Sequence, residues 1–216
     1  MKLFLNKKTN FLHDGEDRVF DRMARRWRVA APSATGGEEI TIQDACRWLQ
    51  RQDDYPIRSP ISLIGQTEAS EAQMALAQAL GTGIAKLGLS LLCDGGPGVA
   101  TAAAQGAKDA GGQVIGILPG TDWRDANPYV SVSLSVGANS RPNTLIAEAG
   151  LCLIAIGGGY DTLGGIAHGK QCGRKVFTMG GAPTVEGVPE VDGIEEALDA
   201  ISHVALNTDG AEPTWR

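Results

Sequence analysis

The residues best suited to chemistry in this chain are short polar turns built on glycine. The strongest is Gly157-Gly158-Gly159, followed by Tyr160, Asp161 and Thr162. Glycine lets the backbone approach a ligand with no Cβ in the way. A helix beginning here would aim free amide groups and its positive dipole end at an anion, and Thr162 would add a hydroxyl donor. One glycine suffices for a tight strand-to-helix turn, so three in succession point to a bound ligand. Comparable turns are Gly65-Gln66-Thr67, Asp94-Gly95-Gly96-Pro97-Gly98, Pro119-Gly120-Thr121 and Gly137-Ala138-Asn139-Ser140-Arg141. The planar guanidinium of Arg141 suits a phosphate or carboxylate, with an interface ion pair as the alternative. His168 stands well past the first turn of the expected helix and reads as a packing residue rather than a catalytic base. His13 and His203 have no motif around them.

Two common nucleotide motifs drop out. Gly96-Pro97-Gly98-Val99-Ala100-Thr101 fails the last position of the dinucleotide fingerprint and follows the second expected strand rather than the first. No Gly-Lys-Ser or Gly-Lys-Thr occurs, so there is no phosphate-binding P-loop.

The elements that must position these turns are legible from polarity. Apolar runs at Ile61–Gly65, Leu89–Cys93, Gln113–Leu118, Val130–Val136, Leu151–Ile156 and Lys175–Met179 read as strands, most of them covered on both faces. Helical stretches at 69–87, 98–110, 142–149, 160–172 and 193–206 alternate with them. This order predicts right-handed crossovers and an α/β, Rossmann-like, doubly wound parallel sheet of about six strands. Ligands of such sheets bind outside the carboxyl ends of the strands, and every turn named above falls on that edge.

Residues 1–59 differ. Asp14–Arg28 and Ile42–Gln52 read as two helices of an N-terminal helical extension, with Thr41 as an N-cap and Asp44 three residues on. The expected organisation is therefore an arm at 1–59, a Rossmann-like domain at 60–206 and a flexible tail at 207–216. Trp27 and Trp48 on the arm read as core or interface aromatics.

Composition agrees with this division. Of 29 glycines, 26 lie from Ile61 onward, against about 15 expected for the whole chain at average usage. Residues 1–60 carry 11 Lys/Arg and 9 Asp/Glu, and residues 61–216 carry 8 and 16. A domain with net charge −8 will not hold nucleic acid by bulk electrostatics. Such a role would fall to the basic run Arg22, Arg25, Arg26 and Arg28. Cys46, Cys93, Cys152 and Cys172 form no C-x-x-C and read as small core residues rather than metal ligands. Reduced thiols, the absence of a signal-peptide core and the lack of a long apolar stretch predict a cytoplasmic protein outside the membrane.

The string Cys93-Asp94-Gly95-Gly96-Pro97-Gly98-Val99, with Gly112-Gln113-Val114-Ile115-Gly116-Ile117-Leu118-Pro119, resembles the LOG-like (SLOG) superfamily of Rossmann-like proteins. So does Arg141-Pro142-Asn143-Thr144-Leu145 followed by Ile154-Ala155-Ile156-Gly157-Gly158-Gly159-Tyr160-Asp161-Thr162-Leu163. The resemblance covers about residues 60–180 and is closest to the bacterial branch that includes molybdenum-cofactor carriers. It is less close to the LONELY GUY phosphoribohydrolases, which cleave a nucleoside monophosphate to base and ribose 5-phosphate. Those enzymes use an arginine before the fifth strand and a glutamate in a G-G-x-G-T-x-x-E motif. Arg141 falls one residue from the arginine position, Gly165 stands in place of the glutamate, and Asp161 replaces the second motif glycine.

The resemblance thus implies a carrier or sensor of a nucleotide-like or phosphate-bearing molecule, with a pterin-type molybdenum cofactor as one such ligand and no required cofactor. The binding set would be Gly65, Gln66, Thr67, Gly95, Gly96, Gly98, Pro119, Gly120, Arg141, Asn143, Gly157, Gly158, Gly159, Tyr160 and Thr162. The second reading is a phosphoribohydrolase using Arg141 with a relocated acid, Asp161, Glu68 or Asp94. The third is a single-strand DNA binder related to DNA-processing proteins. The resemblance and the arm together imply a homodimer or larger homo-oligomer.

Overall fold

A computed structural model describes residues 1–30, 36–54, 58–137 and 142–208. The chain divides into two units, Met1–Arg58 with Asp199–Arg216, and Ser59–Leu198.

The first unit is built on a sheet, not on two helices. Strands β1 (Leu3–Asn6), β2 (Phe11–His13), β3 (Arg18–Asp21), β4 (Arg26–Val29) and β5 (Glu38–Ile40) form an antiparallel sheet in the order β4-β3-β2-β1-β5. The expected helix at Asp14–Arg28 is therefore corrected to a β-hairpin. Its apolar residues, Val19, Phe20, Met23 and Trp27, are spaced as a helix face would be, so periodicity alone misled. Cross-strand pairing and turn chemistry decide instead. Phe20 pairs with Trp27 across β3 and β4, their rings edge to face at 5.5 Å. Asp21 Oδ1 accepts from the Ala24 amide at 2.9 Å, and Arg25 takes a positive φ of 54° to close the turn. At the other end of β3, the buried Asp14 carboxylate accepts from the amides of Glu16 and Arg18 and from Arg18 Nε.

The expected second helix is present as α1 (Ile42–Gln50), with Thr41 Oγ1 accepting from the Asp44 amide at 3.0 Å. Both arm tryptophans are engaged inside this unit. Trp27 Nε1 donates to the Leu206 carbonyl at 2.9 Å, and Trp48 Nε1 donates to Asn10 Oδ1 at 2.7 Å. They therefore supply no reason for a second subunit. Arg22 lies over the Trp48 ring and pairs with Asp54, and Arg28 pairs with Asp21. Arg22 and Arg28 of the basic run are thus engaged by intramolecular partners.

The second unit is a sheet of six parallel strands, β6 (Ile61–Gly65), β7 (Leu91–Cys93), β8 (Val114–Leu118), β9 (Val132–Ser135), β10 (Cys152–Ile156) and β11 (Lys175–Met179). Its helices are α2 (Glu71–Lys86), α3 (Val99–Asp109), α4 (Pro142–Ala149), α5 (Tyr160–Gln171) and the start of α6 (Ile194–Ala205). β10 is buried along its whole length, as its unbroken apolar run demands. Ile64, Leu92, Ile117 and Leu153 form one core layer with Ile146 of α4 and Ile166 of α5. β9, at the edge, is mostly exposed and does not share that double cover.

The strand order is β11-β10-β6-β7-β8-β9. From β6 the chain steps outward to β9, then returns to lay β10 on the other side of β6. The connections leaving β6 and β10 therefore diverge, which is the condition for a crevice at their carboxyl ends. The turns after β6 and β10 meet there. Residues 209–216 of the expected tail lie outside the described residues, while Thr208 caps α6 by donating its hydroxyl to the His203 carbonyl at 3.3 Å. Among the described residues, no helix is long and apolar enough to cross a membrane.

Candidate functional site

The crevice between β6 and β10 is filled by the protein itself. Gln66 Oε1 accepts from the Gly158 amide at 3.1 Å, and Gln66 Nε2 donates to Gln73 Oε1 and to the Glu68 carbonyl, both at 2.7 Å. Gln73 Nε2 donates in turn to the Gly180 carbonyl after β11, at 2.8 Å, and Gln73 Oε1 accepts from the Ser70 amide. This glutamine lock ties the turns after three adjacent strands. Close approach within the protein accounts for two of the three glycines, through Gln73 at Gly157 and Thr162 at Gly158. Gly157 has φ +57° and a Cβ there would meet Gln73 Nε2 at 2.3 Å; Gly158 has φ +106° and a Cβ would overlap the Thr162 hydroxyl. Thr162 is buried beneath that turn. Only Gly159 faces open space.

The second glycine turn is likewise self-bonded. Asp94 Oδ1 accepts from the Gly96 amide at 2.9 Å, Thr101 Oγ1 donates to the Gly96 carbonyl, and Asn127 Nδ2 donates to the Gly95 carbonyl at 3.0 Å. The Val99 amide, at the start of α3, donates to the Gln66 carbonyl, and the Gly137 amide donates to the Gly120 carbonyl. Gly98 belongs to the same turn, with φ +72°, and Thr67 and Glu68 are exposed.

The open space lies beside this lock, in a cleft of about 790 Å³. Asp94 and Pro119 line it from the turns after β7 and β8. Asn143 and Thr144 line it from the first turn of α4, and Tyr160 and Asp161 from the first turn of α5. The first turns of α4 and α5 both border this cavity, where helix N-termini favour a negatively polarised ligand group, and α5 continues along it through Gly164, Gly165, Ala167, His168 and Gln171. Tyr160 is 93% exposed, an aromatic face left free. Asp94 is half-buried, and that burial pushes its carboxyl above the usual range against the pull of the Gly96 amide. Among the described lining residues there is no lysine or arginine. Arg141, with Ala138–Ser140, lies outside the described residues.

The structure thus gathers Asp94, Pro119, Asn143, Tyr160 and Asp161 around the cleft and leaves Gly65, Gln66, Thr67, Gly95, Gly96, Gly98, Gly120, Gly157, Gly158, Gly159 and Thr162 off its lining.

A protein-family model described as the SLOG cluster4 family matches residues 58–205. The chain belongs to that family. An uncharacterized protein of Archaeoglobus fulgidus is 32% identical to this SLOG chain over 140 residues, 64% of this chain and 91% of the relative. The molybdenum cofactor binding protein of the phototrophic bacterium Rippkaea orientalis aligns with a TM-score of 0.64 at 25% identity, over 69% of this chain and 98% of that one. The Moco carrier protein of Chlamydomonas reinhardtii aligns with a TM-score of 0.64 at 27% identity, over 70% and 99%.

Gly165, expected from the sequence resemblance to stand in place of a hydrolase glutamate, is packed against the core of this SLOG chain. Gly165 lines the cleft, yet a Cβ on it would come within 2.6 Å of Ile64 Cδ1. A side chain there would have to displace Ile64 from under α5. Two features were missed from sequence. Gln73 was readable as the last residue of a Ser-x-x-Gln capping box starting at Ser70, which the structure contains. Glu148, His168 and Cys172 come together at the ends of α4 and α5, and their separation in sequence hid this. Cys172 is exposed, which corrects its reading as a core residue, whereas Cys46, Cys93 and Cys152 are buried. His168 lines the cleft and binds Glu148 Oε1 at 2.5 Å.

Proposed function

We propose that this chain binds a pterin-type molybdenum cofactor, or a similar nucleotide-like phosphate-bearing molecule, as a carrier and not as a hydrolase. The observation that carries the reading is the convergence of the first turns of α4 and α5 on one cleft, with Tyr160 exposed at its edge. Helix N-termini suit a terminal phosphate, and a free aromatic face suits a flat heterocycle. Asn143, Asp94 and Asp161 offer the mixed donors and acceptors that a pterin edge requires. Likeness to a molybdenum cofactor binding protein and to a Moco carrier supports the same ligand class. Packing of Gly165 against Ile64 supports binding without hydrolysis, because no general acid stands at that position.

The test loads the purified chain with isolated molybdenum cofactor, separates it by gel filtration and measures the oxidised pterin by fluorescence. Cofactor co-eluting with the chain, and lost in Asn143→Ala, is the expected result. Cofactor eluting free of the chain would overturn the reading. A second reading, hydrolysis of a nucleoside 5'-monophosphate, is favoured by one observation, the Asp94 carboxyl that burial holds towards its protonated form beside the cleft. Adenine release from adenosine monophosphate that disappears in Asp94→Asn would establish it in place of the carrier.

A further inference from the structure

We propose that Glu148, His168 and Cys172 form a site for one divalent transition-metal ion of the zinc type at the rim of the cleft. Glu148 lies in the last turn of α4. His168 and Cys172 are four residues apart at the end of α5, so they share one face of it. Three different ligand atoms converge. His168 Nε2 lies 2.5 Å from Glu148 Oε1 and 3.5 Å from Cys172 Sγ, and Cys172 Sγ lies 3.7 Å from Glu148 Oε1.

The arrangement resembles a catalytic relay of thiol, imidazole and carboxylate, but its geometry is not that of a relay. A relay uses the two ring nitrogens separately, one towards the nucleophile and the other towards the acid. Here both contacts fall on Nε2. Convergence on a single point is what coordination requires. Ligand atoms around a tetrahedral zinc ion are spaced about 3.4–3.6 Å apart, given the usual zinc–nitrogen, zinc–oxygen and zinc–sulfur lengths. Two of the three distances already stand near that spacing. Only the imidazole–carboxylate pair must open, by about 1 Å on the same lengths, and the Glu148 side chain is 47% exposed and free to swing.

A thiolate with an imidazole and a carboxylate selects zinc-like ions over magnesium or calcium, which prefer oxygen alone. Binding would displace the Cys172 proton to solvent and leave two negative ligands to neutralise a divalent ion. Three protein ligands leave a further coordination position for water or a ligand atom, and His168 also lines the cleft. The inference does not depend on which molecule the cleft binds.

The full chain, reduced and stripped with chelator, would be titrated with cobalt(II) and followed by absorption. The expected result is a near-ultraviolet thiolate-to-cobalt band, with the strong visible bands of tetrahedral cobalt, saturating at a single equivalent and abolished by zinc. Cys172→Ser should lose the near-ultraviolet band, and Glu148→Gln should require more cobalt for saturation. Both positions are exposed, and circular dichroism would verify that each variant is folded. Absence of the band in the unaltered chain, or its persistence in folded Cys172→Ser, would overturn the proposal. Cofactor loading measured without added metal reports on the cleft separately.

Discussion

Along the carboxyl edge of the parallel sheet, two neighbouring regions contrast in what their polar groups touch. Around Gln66, Gln73, Gly158 and Gly180, side-chain amides and backbone groups bind one another. Next to them, Asn143, Tyr160 and Asp161 face a cavity. The first region sits at the point where strand connections diverge, the place a ligand usually takes in such sheets. Here glutamine side chains occupy it, and the open cleft lies towards α4 and α5. Glycine-rich turns alone therefore do not mark the site. Two of the glycines serve close approach within the protein, and Asn143, Tyr160 and Asp161 line the cavity beside the turn.

Breaking the lock should have the largest effect. Gly158→Ala places a Cβ at φ +106° on top of the Thr162 hydroxyl. Backbone strain and overpacking together should lower stability by about 3 kcal/mol, read as a shift of the urea midpoint with an unchanged slope. A loss below about 1 kcal/mol would mean that the turn rearranges easily and the lock is not structural. Gln73→Ala comes next. It removes the carboxamide that joins Gln66, the Ser70 amide and the Gly180 carbonyl, and should cost about 1–3 kcal/mol in the same measurement. Gln73→Glu keeps the shape while turning one donor into an acceptor facing the Gly180 carbonyl. It should be destabilising as well if hydrogen bonding, and not volume, holds the three turns together.

The two regions also differ in how far the sequence exposes them. Unbroken apolar runs too short for a helix, such as Leu151–Ile156, read as buried strands, so the parallel sheet and the turns after its strands were legible. In Asp14–Arg28 the apolar spacing fits a helix as well as a hairpin. Only the pairing of Phe20 with Trp27 and the positive φ of Arg25 resolve it, and both are properties of the folded chain. At the site, glycine signals the absence of a side chain without naming what approaches. Gln73 and Thr162 approach Gly157 and Gly158, and that information lies elsewhere in the sequence. Gly165 shows the same limit, since its missing side chain makes room for Ile64 from β6.

On the cleft side, Tyr160→Ala should separate binding from stability. The ring is 93% exposed, so its removal should change stability by no more than about 0.5 kcal/mol. If a flat heterocycle rests against it, affinity should fall roughly three- to tenfold, the loss of about 0.5–1.5 kcal/mol expected for aromatic stacking. Equal affinity in the variant, by the same gel-filtration and fluorescence measurement, would remove Tyr160 from the site.

The smallest expected effect is in the dependence of stability on pH, and its sign separates two carboxyls, Asp14 and Asp94. Asp14 is buried but bonded to Arg18 and two amides, which together carry its pKa below 3.8 although burial alone would raise it. Its contribution is present above 3.8 and is lost as pH falls through the lowered folded value. At Asp94 burial outweighs the Gly96 amide at Oδ1 and the residue's own backbone amide, and its pKa rises above 3.8. The folded state then binds the Asp94 proton more tightly than the unfolded chain does. That contribution is complete below 3.8 and is lost as pH rises through the raised folded value. Urea midpoints measured from acid to neutral pH should therefore show Asp94→Asn flattening the decline on the upper side of 3.8, and Asp14→Asn flattening the decline on the lower side. A profile for Asp94→Asn parallel to that of the unaltered chain would mean that Asp94 is solvated at the cleft, and would end its candidacy as the proton-holding group of the hydrolytic reading.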